Sequence, residues 1–527
     1  MNRKNTLSQS ELGLLIALSA CILGGALRLY TAYQAGFPIN DGGLFYLITK
    51  AIQQGGYILP KYVHYNGLEI PFAYPPLGFY FAGIISDILR TPLIEIFRWL
   101  PAVVLSISIY AFYVFAERLM GSSIQAGIAA IIYALLPRAI TWLIMGGGVT
   151  RSLGQLFLII TAYNVFMLFS NGQRKYLWLS ILSSSLVCLT HPEATIHTIG
   201  IAILLWFFKG RNKKGGIHAI LVATGTLILT SIWWLPVILR FGIAPFFSAA
   251  QTSLHNYLFI VYFFTIPFSD EPYLTIIILF AVIGIAVSFA KRDFLLPAFY
   301  VLPFIIEPRN AANVNTIPMS MLASVALCQL ILPGLSHFEE KRLSVQYQNS
   351  FQSRSGKILM AYLMIVMFVG MLYFSIHLSA MRVSEENLKA FEWVSENTPI
   401  DSHFIIMTGN TDLFRDWTQE WFPAISDRIS LTTIQGQEWL DGIFFTERVS
   451  NIQSLQRCIS DASPLECVEL QAKKLDSGYD YIYISKSATD GNDSYTRGDE
   501  LIFDMLQDQN RYTMIYKTDG VVIFEKE

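Results

Sequence analysis

The chain has 527 residues, of which 53% are hydrophobic and 14% are charged, and its formal net charge is −2. A mean hydropathy of +0.45 is too high for a water-soluble protein of this length. The near-neutral charge gives no support for a nucleic-acid partner. Long apolar runs fill residues 1–380, whereas residues 381–527 have the composition of a soluble domain. We therefore predict a polytopic α-helical membrane module, 1–380, followed by a soluble domain, 381–527.

The N-terminus carries Arg3 and Lys4 ahead of an apolar run from Leu12 to Leu27. A secretory signal peptide has this pattern, but no small-residue cleavage site follows here, and the next residues are bulky and aromatic. We expect an uncleaved first transmembrane helix whose N-terminus is cytoplasmic.

Apolar segments long enough, or nearly long enough, to cross a bilayer as helices recur down to residue 379. Lys and Arg concentrate in the loops at 117–121, 171–176, 209–216, 291–293 and 337–357, and basic loops normally stay in the cytoplasm. With these loops inside, about eleven crossings place the soluble domain outside the cell membrane. The predicted spans are 11–30, 98–117, 123–142, 151–170, 176–190, 194–208, 218–236, 272–290, 294–306, 311–333 and 357–379.

The first outer loop, 31–97, contains two apolar segments of its own. Residues 43–54 are amphipathic, and residues 74–89 are apolar but short and carry Asp87. A crossing at 74–89 would invert the basic loops, so we predict two juxtamembrane helices lying along the outer membrane surface. A structured loop of this length is usually functional.

A single carboxylate stands ahead of the first juxtamembrane helix, in the run Asn40-Asp41-Gly42-Gly43. Taken alone the pattern favours a turn residue, because Asp-Gly pairs are common in turns. The glycines also allow tight folding and close approach of a substrate.

The order of several motifs resembles the GT-C superfamily of membrane glycosyltransferases. The motifs are NDGGLFYLITKAIQQGGYILP, YPPLGFYFAGI and RWLPAVVLSISIYAFYVFAERLMG, and the similarity is greatest to the protein O-mannosyltransferase and aminoarabinose-transferase types. The tail FEWVSENTPIDSHFIIMT resembles their extracytoplasmic domains. The resemblance implies a hexosyl- or pentosyltransferase that moves a sugar from a polyprenyl-phosphate donor to an extracytoplasmic glycan, lipid or protein. It also implies that Asp41 is the catalytic residue. The chain lacks an Asp-Glu or Asp-x-Asp pair at this position, so the cofactor is undefined, with a divalent cation as the candidate.

Such a reaction makes three chemical demands. The departing phosphate needs cationic stabilisation, and the acceptor hydroxyl needs a carboxylate base within hydrogen-bond reach. The donor lipid stays in the bilayer, so the site must lie at the membrane surface. An outer-loop Asp41 meets the second and third demands.

A second candidate group lies in THPEATIH, at the outer end of a predicted span. Glu193 is the candidate second catalytic acid, and His191 is a candidate ligand for substrate or metal. The alternative is a polar interfacial loop in which Pro192 begins the next helix.

Two arginines are candidates for binding the donor phosphate. Arg151 follows GGGVT at the outer start of a span, where backbone N–H groups and a helix N-terminus attract anions. Arg309 lies two residues after Glu307. Glu307 is a candidate partner of Arg309 or a candidate ligand for substrate or metal. The alternatives are an arginine reaching lipid head groups and a structural ion pair.

The soluble domain is predicted as a small α/β layer fold. A segment rich in Trp and acids, 416–428, is expected to be a packed loop, with contact to an acceptor or to the membrane site as the alternative. Cys458 and Cys467 either form a local disulfide, if the domain is extracytoplasmic, or remain unpaired thiols. The predicted helices are 384–399, 437–458 and 464–476, and the predicted strands are 403–408, 479–485, 511–518 and 520–527.

Two other functions fit a polytopic protein. A transporter or flippase of lipid-linked sugar usually shows repeated halves and ionisable residues at mid-span, and the sequence shows no internal repeat. A non-catalytic membrane protein working through its outer domain would leave Asp41 remote from any cavity.

Overall fold

The computed structural model describes residues 8–252, 275–347, 349–440, 444–475, 478–486 and 498–527. Within these residues a helix lies over every segment that the sequence predicts to span the membrane. The helices up to residue 380 are α1 (Gln9–Ala35), α2 (Gly43–Gln54), α3 (Leu77–Leu89), α4 (Leu93–Met120), α5 (Ser123–Ala134), α6 (Gly148–Asn171), α7 (Arg174–Cys188), α8 (Pro192–Lys209), α9 (Lys213–Phe241), α10 (Ala244–Thr252), α11 (Thr275–Ala290), α12 (Leu295–Ile306), α13 (Ala311–Ala326), α14 (Leu332–Leu343) and α15 (Arg354–Ala380).

Six helical segments of the described chain are long and apolar enough to cross a membrane. The predicted number of about eleven spans is therefore not confirmed, although the remaining predicted spans are helical. The clearest departure is the predicted span 123–142, because α5 ends at Ala134 and a short 3₁₀ turn, Pro137–Ala139, follows. Proline has no N–H to donate and disfavours a helical residue before it. The six segments are Gln9–Ala35, Leu93–Met120, Gly148–Asn171, Lys213–Phe241, Ala311–Leu343 and Arg354–Asn397.

The helices of the membrane module form one bundle. Helix α1 packs against α4, α5 and α15, and α6 packs against α4, α7 and α8. In the most apolar part of α9 only 17% of the residues are buried, and in that of Arg354–Asn397 only 33% are. Exposed apolar surfaces of this kind are expected on helices that face lipid.

The loop after α1 contains the two predicted helices, α2 and α3, with nearly the predicted bounds. Their position on the membrane surface stays a prediction. Between them lies an antiparallel hairpin of β1 (Tyr62–Tyr65) and β2 (Leu68–Pro71) that we did not predict. Its turn is Asn66-Gly67, with φ angles of 54° and 71°, and Asn-Gly is a strong hairpin signal.

The residues after α15 form a five-stranded sheet with helices on both faces. The strand order is β4-β3-β5-β7-β6, with β3 parallel to β4 and β5, and β7 antiparallel to β5 and β6. Alternate residues of β3 enter different cores: Ile405 faces the helices that follow β4, and Phe404 packs with Trp421. The elements are α16 (Glu385–Asn397), β3 (His403–Met407), α17 (Trp417–Ser426), β4 (Ile429–Ser430), α18 (Phe445–Arg457), α19 (Pro464–Ala472), β5 (Tyr481–Ser485), α20 (Asp499–Gln507), β6 (Tyr512–Lys517) and β7 (Val521–Lys526).

Two expectations for this domain were wrong. The segment 416–428 is not a loop: it forms α17, whose first turn is capped by the Asp416 carboxylate accepting from the Gln419 N–H at 3.2 Å. The predicted helix 437–458 begins only at Phe445, because a 3₁₀ turn occupies Gln437–Trp439. Cys458 and Cys467 form a disulfide, which resolves the alternative between a bridge and two thiols.

Candidate active site

The turn that carries Asp41 joins α1 to α2 through unusual backbone angles. Asn40 has φ 51° and Gly42 has φ 129°. Asn tolerates the left-handed region better than most residues, and an angle near 129° is in practice restricted to glycine. The sequence Asn-Asp-Gly-Gly thus folds so that the Asp41 side chain faces the N-terminus of α6.

Both carboxylate oxygens of Asp41 have partners at that helix end. Oδ1 accepts from the Gly147 N–H at 3.0 Å, and Oδ2 accepts from Nη2 of Arg151 at 2.5 Å. A Cβ at Gly147 would crowd Nη2 of Arg151 and lie 2.8 Å from Oδ2 of Asp41, so a larger residue there would displace the ends of both side chains. The Asp41 and Arg151 side chains keep 20% and 18% of their surface exposed. The carboxylate is anchored but still accessible.

The N-terminus of α6 holds the Asp41 carboxylate in this structure, and binding of the donor phosphate by Arg151 stays a prediction. The Nε of Arg151 is buried and has no hydrogen-bond partner among the described residues, so a ligand would have to meet the 18% of the side-chain surface that is exposed. Its guanidinium lies 5.9 Å from the centroid of Trp142, and the guanidinium of Arg415, from the C-terminal domain, lies 5.6 Å from the same ring. The two guanidinium groups therefore flank one aromatic ring next to the Asp41 carboxylate.

Glu193 and Arg309 form a second pair nearby. Their closest nitrogen and oxygen, Nη1 and Oε1, are 3.8 Å apart, and both side chains are partly exposed. Glu193 lies in the first turn of α8, which begins at Pro192 as the alternative interpretation predicted. His191 is buried and caps this helix, its Nδ1 accepting from the Ala194 N–H at 3.2 Å. Only Nε2 of His191 is left to contact a ligand.

Glu307 is enclosed and braces the loop that presents Arg309. Its carboxylate accepts from the backbone N–H groups of Arg309 at 3.1 Å and Asn310 at 2.8 Å, and lies 3.4 Å from Nε2 of His197. The Arg309 side chain instead turns to Glu193. Glu307 thus holds the backbone of Arg309 and Asn310 in place.

The two pairs belong to one electrostatic neighbourhood. Arg151 interacts electrostatically with both Glu193 and Tyr74, as well as with Asp41. The Tyr74 hydroxyl lies 3.4 Å from Oγ1 of Thr150, one residue before Arg151. The predicted residues Asp41, Arg151, Glu193 and Arg309 thus lie on the same end of the helical bundle.

The C-terminal domain adds two acids to this neighbourhood that we did not predict, the buried Glu420 and the half-buried Glu438. Oε1 of Glu420 accepts from the N–H groups of Gly42 at 2.8 Å and Gly43 at 3.1 Å. Burial, followed by the nearby charge of Asp41, raises the pKa of Glu420 to about 8. Burial raises the pKa of Glu438 to about 7, and the positive charge of Arg309 opposes that shift. The only sequence signal for Glu420 was an acid flanked by tryptophans in the 416–428 segment.

The described residues do not supply a ligand set for the divalent cation considered from the sequence. They contain no group of three or more His, Cys, Asp and Glu side chains able to hold a metal ion. Asp41 already accepts from Gly147 and from a guanidinium, whereas a hard cation needs several free oxygen ligands. The divalent cation considered from the sequence therefore stays a prediction.

No family model and no curated protein matches the sequence, but solved structures match nearly the whole chain. The apo oligosaccharyltransferase of Archaeoglobus fulgidus is 13% identical with a TM-score of 0.59, over 98% of this chain and 74% of that one. ArnT of Cupriavidus metallidurans bound to undecaprenyl phosphate is 12% identical with a TM-score of 0.53, over 98% of both chains. The mycobacterial arabinofuranosyltransferase AftD is 14% identical with a TM-score of 0.55, over 99% of this chain and 42% of that one.

All three are GT-C glycosyltransferases, so the chain has the GT-C fold, as the sequence resemblance indicated. The oligosaccharyltransferase has also been solved with a tethered acceptor peptide, with an inhibitory peptide and a dolichol-phosphate, and with Zn and sulfate. At these identities the likeness establishes the fold, and the activity has to be argued from the site.

Proposed function

We propose that this GT-C-fold chain is a membrane glycosyltransferase that moves a sugar from a polyprenyl-phosphate-linked donor to an extracytoplasmic acceptor. The observation that carries the proposal is the Asp41–Arg151 pair. It combines a partly exposed carboxylate with a guanidinium at the N-terminus of a membrane helix. Structural neighbours solved with undecaprenyl phosphate and with a dolichol-phosphate support a lipid-phosphate donor. The acceptor is a glycan, a lipid or a protein.

In the proposed reaction Asp41 is the general base. Its carboxylate takes the proton of the acceptor hydroxyl as that oxygen attacks the anomeric carbon of the sugar. The bond between the anomeric carbon and the phosphate oxygen breaks, and the polyprenyl phosphate leaves with the bonding electron pair. Hydrogen bonds from Gly147 and Arg151 fix the plane of the carboxylate, so a single direction of approach is favoured.

Arg151 and Arg309 are the proposed ligands of the donor phosphate. Arg151 keeps 18% of its side chain exposed next to its bond to Asp41. Arg309 is held only loosely by Glu193, since 3.8 Å is longer than a charge-assisted hydrogen bond. Two guanidinium groups would stabilise the charge that develops on the leaving phosphate. Glu193 orients Arg309 and is the second carboxylate of the site.

The proposed topology places this site outside the cytoplasm, in the cell membrane, with a cytoplasmic N-terminus. Residues 1–380 are the membrane module and residues 381–527 the extracytoplasmic domain. The basic loops support this orientation. So does the Cys458–Cys467 disulfide, because such bridges persist mainly in oxidising compartments.

The direct test uses the purified full-length chain in lipid nanodiscs with a panel of undecaprenyl- and dolichol-phosphate-linked hexoses and pentoses. Release of free polyprenyl phosphate is measured with and without added acceptor glycans, lipids and peptides. We expect release from at least one donor, faster with its acceptor. Movement of intact donor across a liposome membrane without any release would overturn the proposal in favour of a flippase.

A further inference from the structure

The C-terminal domain makes hydrogen bonds to the backbone of the Asp41 turn both before and after Asp41. Before Asp41, Nε1 of Trp421 donates to the backbone carbonyl of Asn40 at 2.9 Å. After it, Oε1 of Glu420 accepts from the N–H groups of Gly42 and Gly43. These contacts join residues about 380 positions apart in the sequence, so they exist only when the domain is docked on the membrane module.

The turn needs this support. Asn40 and Gly42 both have positive φ angles, and such conformations persist where the surroundings fix them. Asn40 makes two further hydrogen bonds: its backbone N–H donates to the Met381 carbonyl at 2.7 Å, and its Nδ2 donates to the Phe414 carbonyl at 3.3 Å. Each of these partners lies after α15.

Helix α2 also lacks a cap of its own. Gly42 is its N-cap residue and makes no side-chain capping hydrogen bond, although the first N–H groups of a helix need acceptors from outside it. Glu420 supplies the acceptor from α17. A side chain at Gly43 would bring its Cβ within 2.6 Å of the Glu420 carbonyl oxygen, so glycine is required for α17 to come this close.

We propose that Glu420 is a positioning residue for Asp41: its carboxyl oxygen holds the Gly42 and Gly43 amides and so sets the direction of the Asp41 carboxylate. This inference rests on the proposed role of Asp41 as base. What matters is the acceptor oxygen at the end of the Glu420 side chain rather than a negative charge. The raised pKa of Glu420 agrees with this, since a neutral carboxyl still accepts through its carbonyl oxygen.

Two variants separate the acceptor from the charge. Glu420→Gln keeps an acceptor oxygen at the same distance from the backbone and removes the charge. Glu420→Asp keeps the carboxyl group but withdraws it by one methylene. Tyr479→Phe serves as the control, because it removes the Tyr479–Tyr512 hydroxyl contact on the far side of the same domain.

The first readout is amide hydrogen exchange of the full-length chain in nanodiscs, in the peptide that contains Gly42 and Gly43. Glu420→Asp should lose the hydrogen bonds from the Gly42 and Gly43 N–H groups, so amide exchange in this peptide should be about tenfold faster or more. Glu420→Gln and Tyr479→Phe should stay within about twofold of the wild type in this peptide. Exchange in Glu420→Asp equal to the wild type, or faster in Glu420→Gln than in Glu420→Asp, would overturn the inference.

The second readout is release of polyprenyl phosphate from the donor that the wild type cleaves. Glu420→Asp should lower kcat about tenfold or more and leave the KM for donor within about threefold, since Glu420 acts through the turn. Glu420→Gln should recover most of the lost kcat. If the wild type cleaves no donor, the proposed function fails, yet hydrogen exchange still decides whether Glu420 holds the turn. If the wild type cleaves donor and Glu420→Asp keeps full kcat despite faster exchange, the positioning role alone is wrong.

Discussion

Arg151 donates its Nη2 to Oδ2 of Asp41 at 2.5 Å, across 110 positions of sequence. The proposed base and the proposed phosphate ligand are therefore joined before any substrate arrives. In the proposed reaction, a change in the guanidinium would alter both donor binding and the orientation of the carboxylate.

Replacing Arg151 by lysine should lower kcat/KM for donor cleavage by about ten- to a hundredfold. Lysine keeps the positive charge but loses the planar fork that contacts two anions at once. Steady-state release of polyprenyl phosphate is the measurement, and Arg90→Lys, an exposed arginine after α3, is the matched control. Full activity in Arg151→Lys would show that a point charge suffices and would contradict the need for a planar guanidinium.

Replacing Trp421 by phenylalanine should destabilise the docked turn by about 1 kcal/mol, because the buried carbonyl of Asn40 loses its donor. The ring stays in contact with Phe37, whose centroid is 4.9 Å away. Thermal unfolding measures the loss. Trp393→Phe makes the same chemical change beside Tyr516, away from the turn, and should lower kcat less than Trp421→Phe does. Equal kcat values in the two variants would contradict a special role for the Trp421 bond.

Stability should fall as pH rises from about 5 to about 8. Burial and the charge of Asp41 raise the pKa of Glu420 from 4.5 to about 8. In that window the folded chain holds a proton that the unfolded chain releases, so raising the pH favours unfolding. Arg151 opposes this shift and Glu438 adds to it, and the raised pKa of Glu438 contributes a slope of the same sign.

The measurement for this prediction is the thermal midpoint of the full-length chain at several pH values. In Glu420→Gln the fall between pH 5 and pH 8 should be smaller, because one of the titrating groups is gone. A Glu420→Gln curve parallel to that of the wild type would contradict burial of an ionisable Glu420.

Reducing the Cys458–Cys467 disulfide should destabilise the C-terminal domain by about 2 to 3 kcal/mol, as expected for a short closed loop. The bridge joins positions nine residues apart between α18 and α19. Peptide mass spectrometry without reduction should find it, and denaturant unfolding with and without reductant should show the loss. Two alkylatable thiols at these positions in the membrane-extracted protein would contradict an oxidising compartment for the domain.

Much of the helical framework was predictable because each span is a local, strongly apolar signal. The amphipathic helix α2 was also correctly placed at residues 43–54. The β1–β2 hairpin was missed although its Asn66-Gly67 turn is a local signal. Helix α17 was missed although Asp416 and Gln419 have the spacing of a capping pair.

The composition of the site was only partly accessible from sequence. Asp41 was singled out because the GT-C resemblance implies a catalytic acid in the first outer loop, whereas its Asp-Gly pattern alone favours a turn. Arg151 was singled out because it lies after a glycine run at the outer start of an apolar segment. Glu420 did not, since its role depends on a contact with Gly42 across 378 positions, and no local pattern encodes such a contact. The pairing of Arg309 with Glu193, across 116 positions of sequence, was missed for the same reason.

Asp41 is the proposed base, and the proposed mechanism fails if the Asp41→Asn variant remains fully active. Asparagine keeps the shape and its oxygen still accepts a hydrogen bond, but it cannot take up the acceptor proton. Asp87→Asn is the matched control, because Asp87 lies in the same loop and bonds to Gln53 and Tyr57 outside the site. We expect Asp41→Asn to lower kcat for sugar transfer by about two to four orders of magnitude, with donor binding retained and Asp87→Asn close to the wild type. Transfer by Asp41→Asn at the wild-type rate would contradict the assignment.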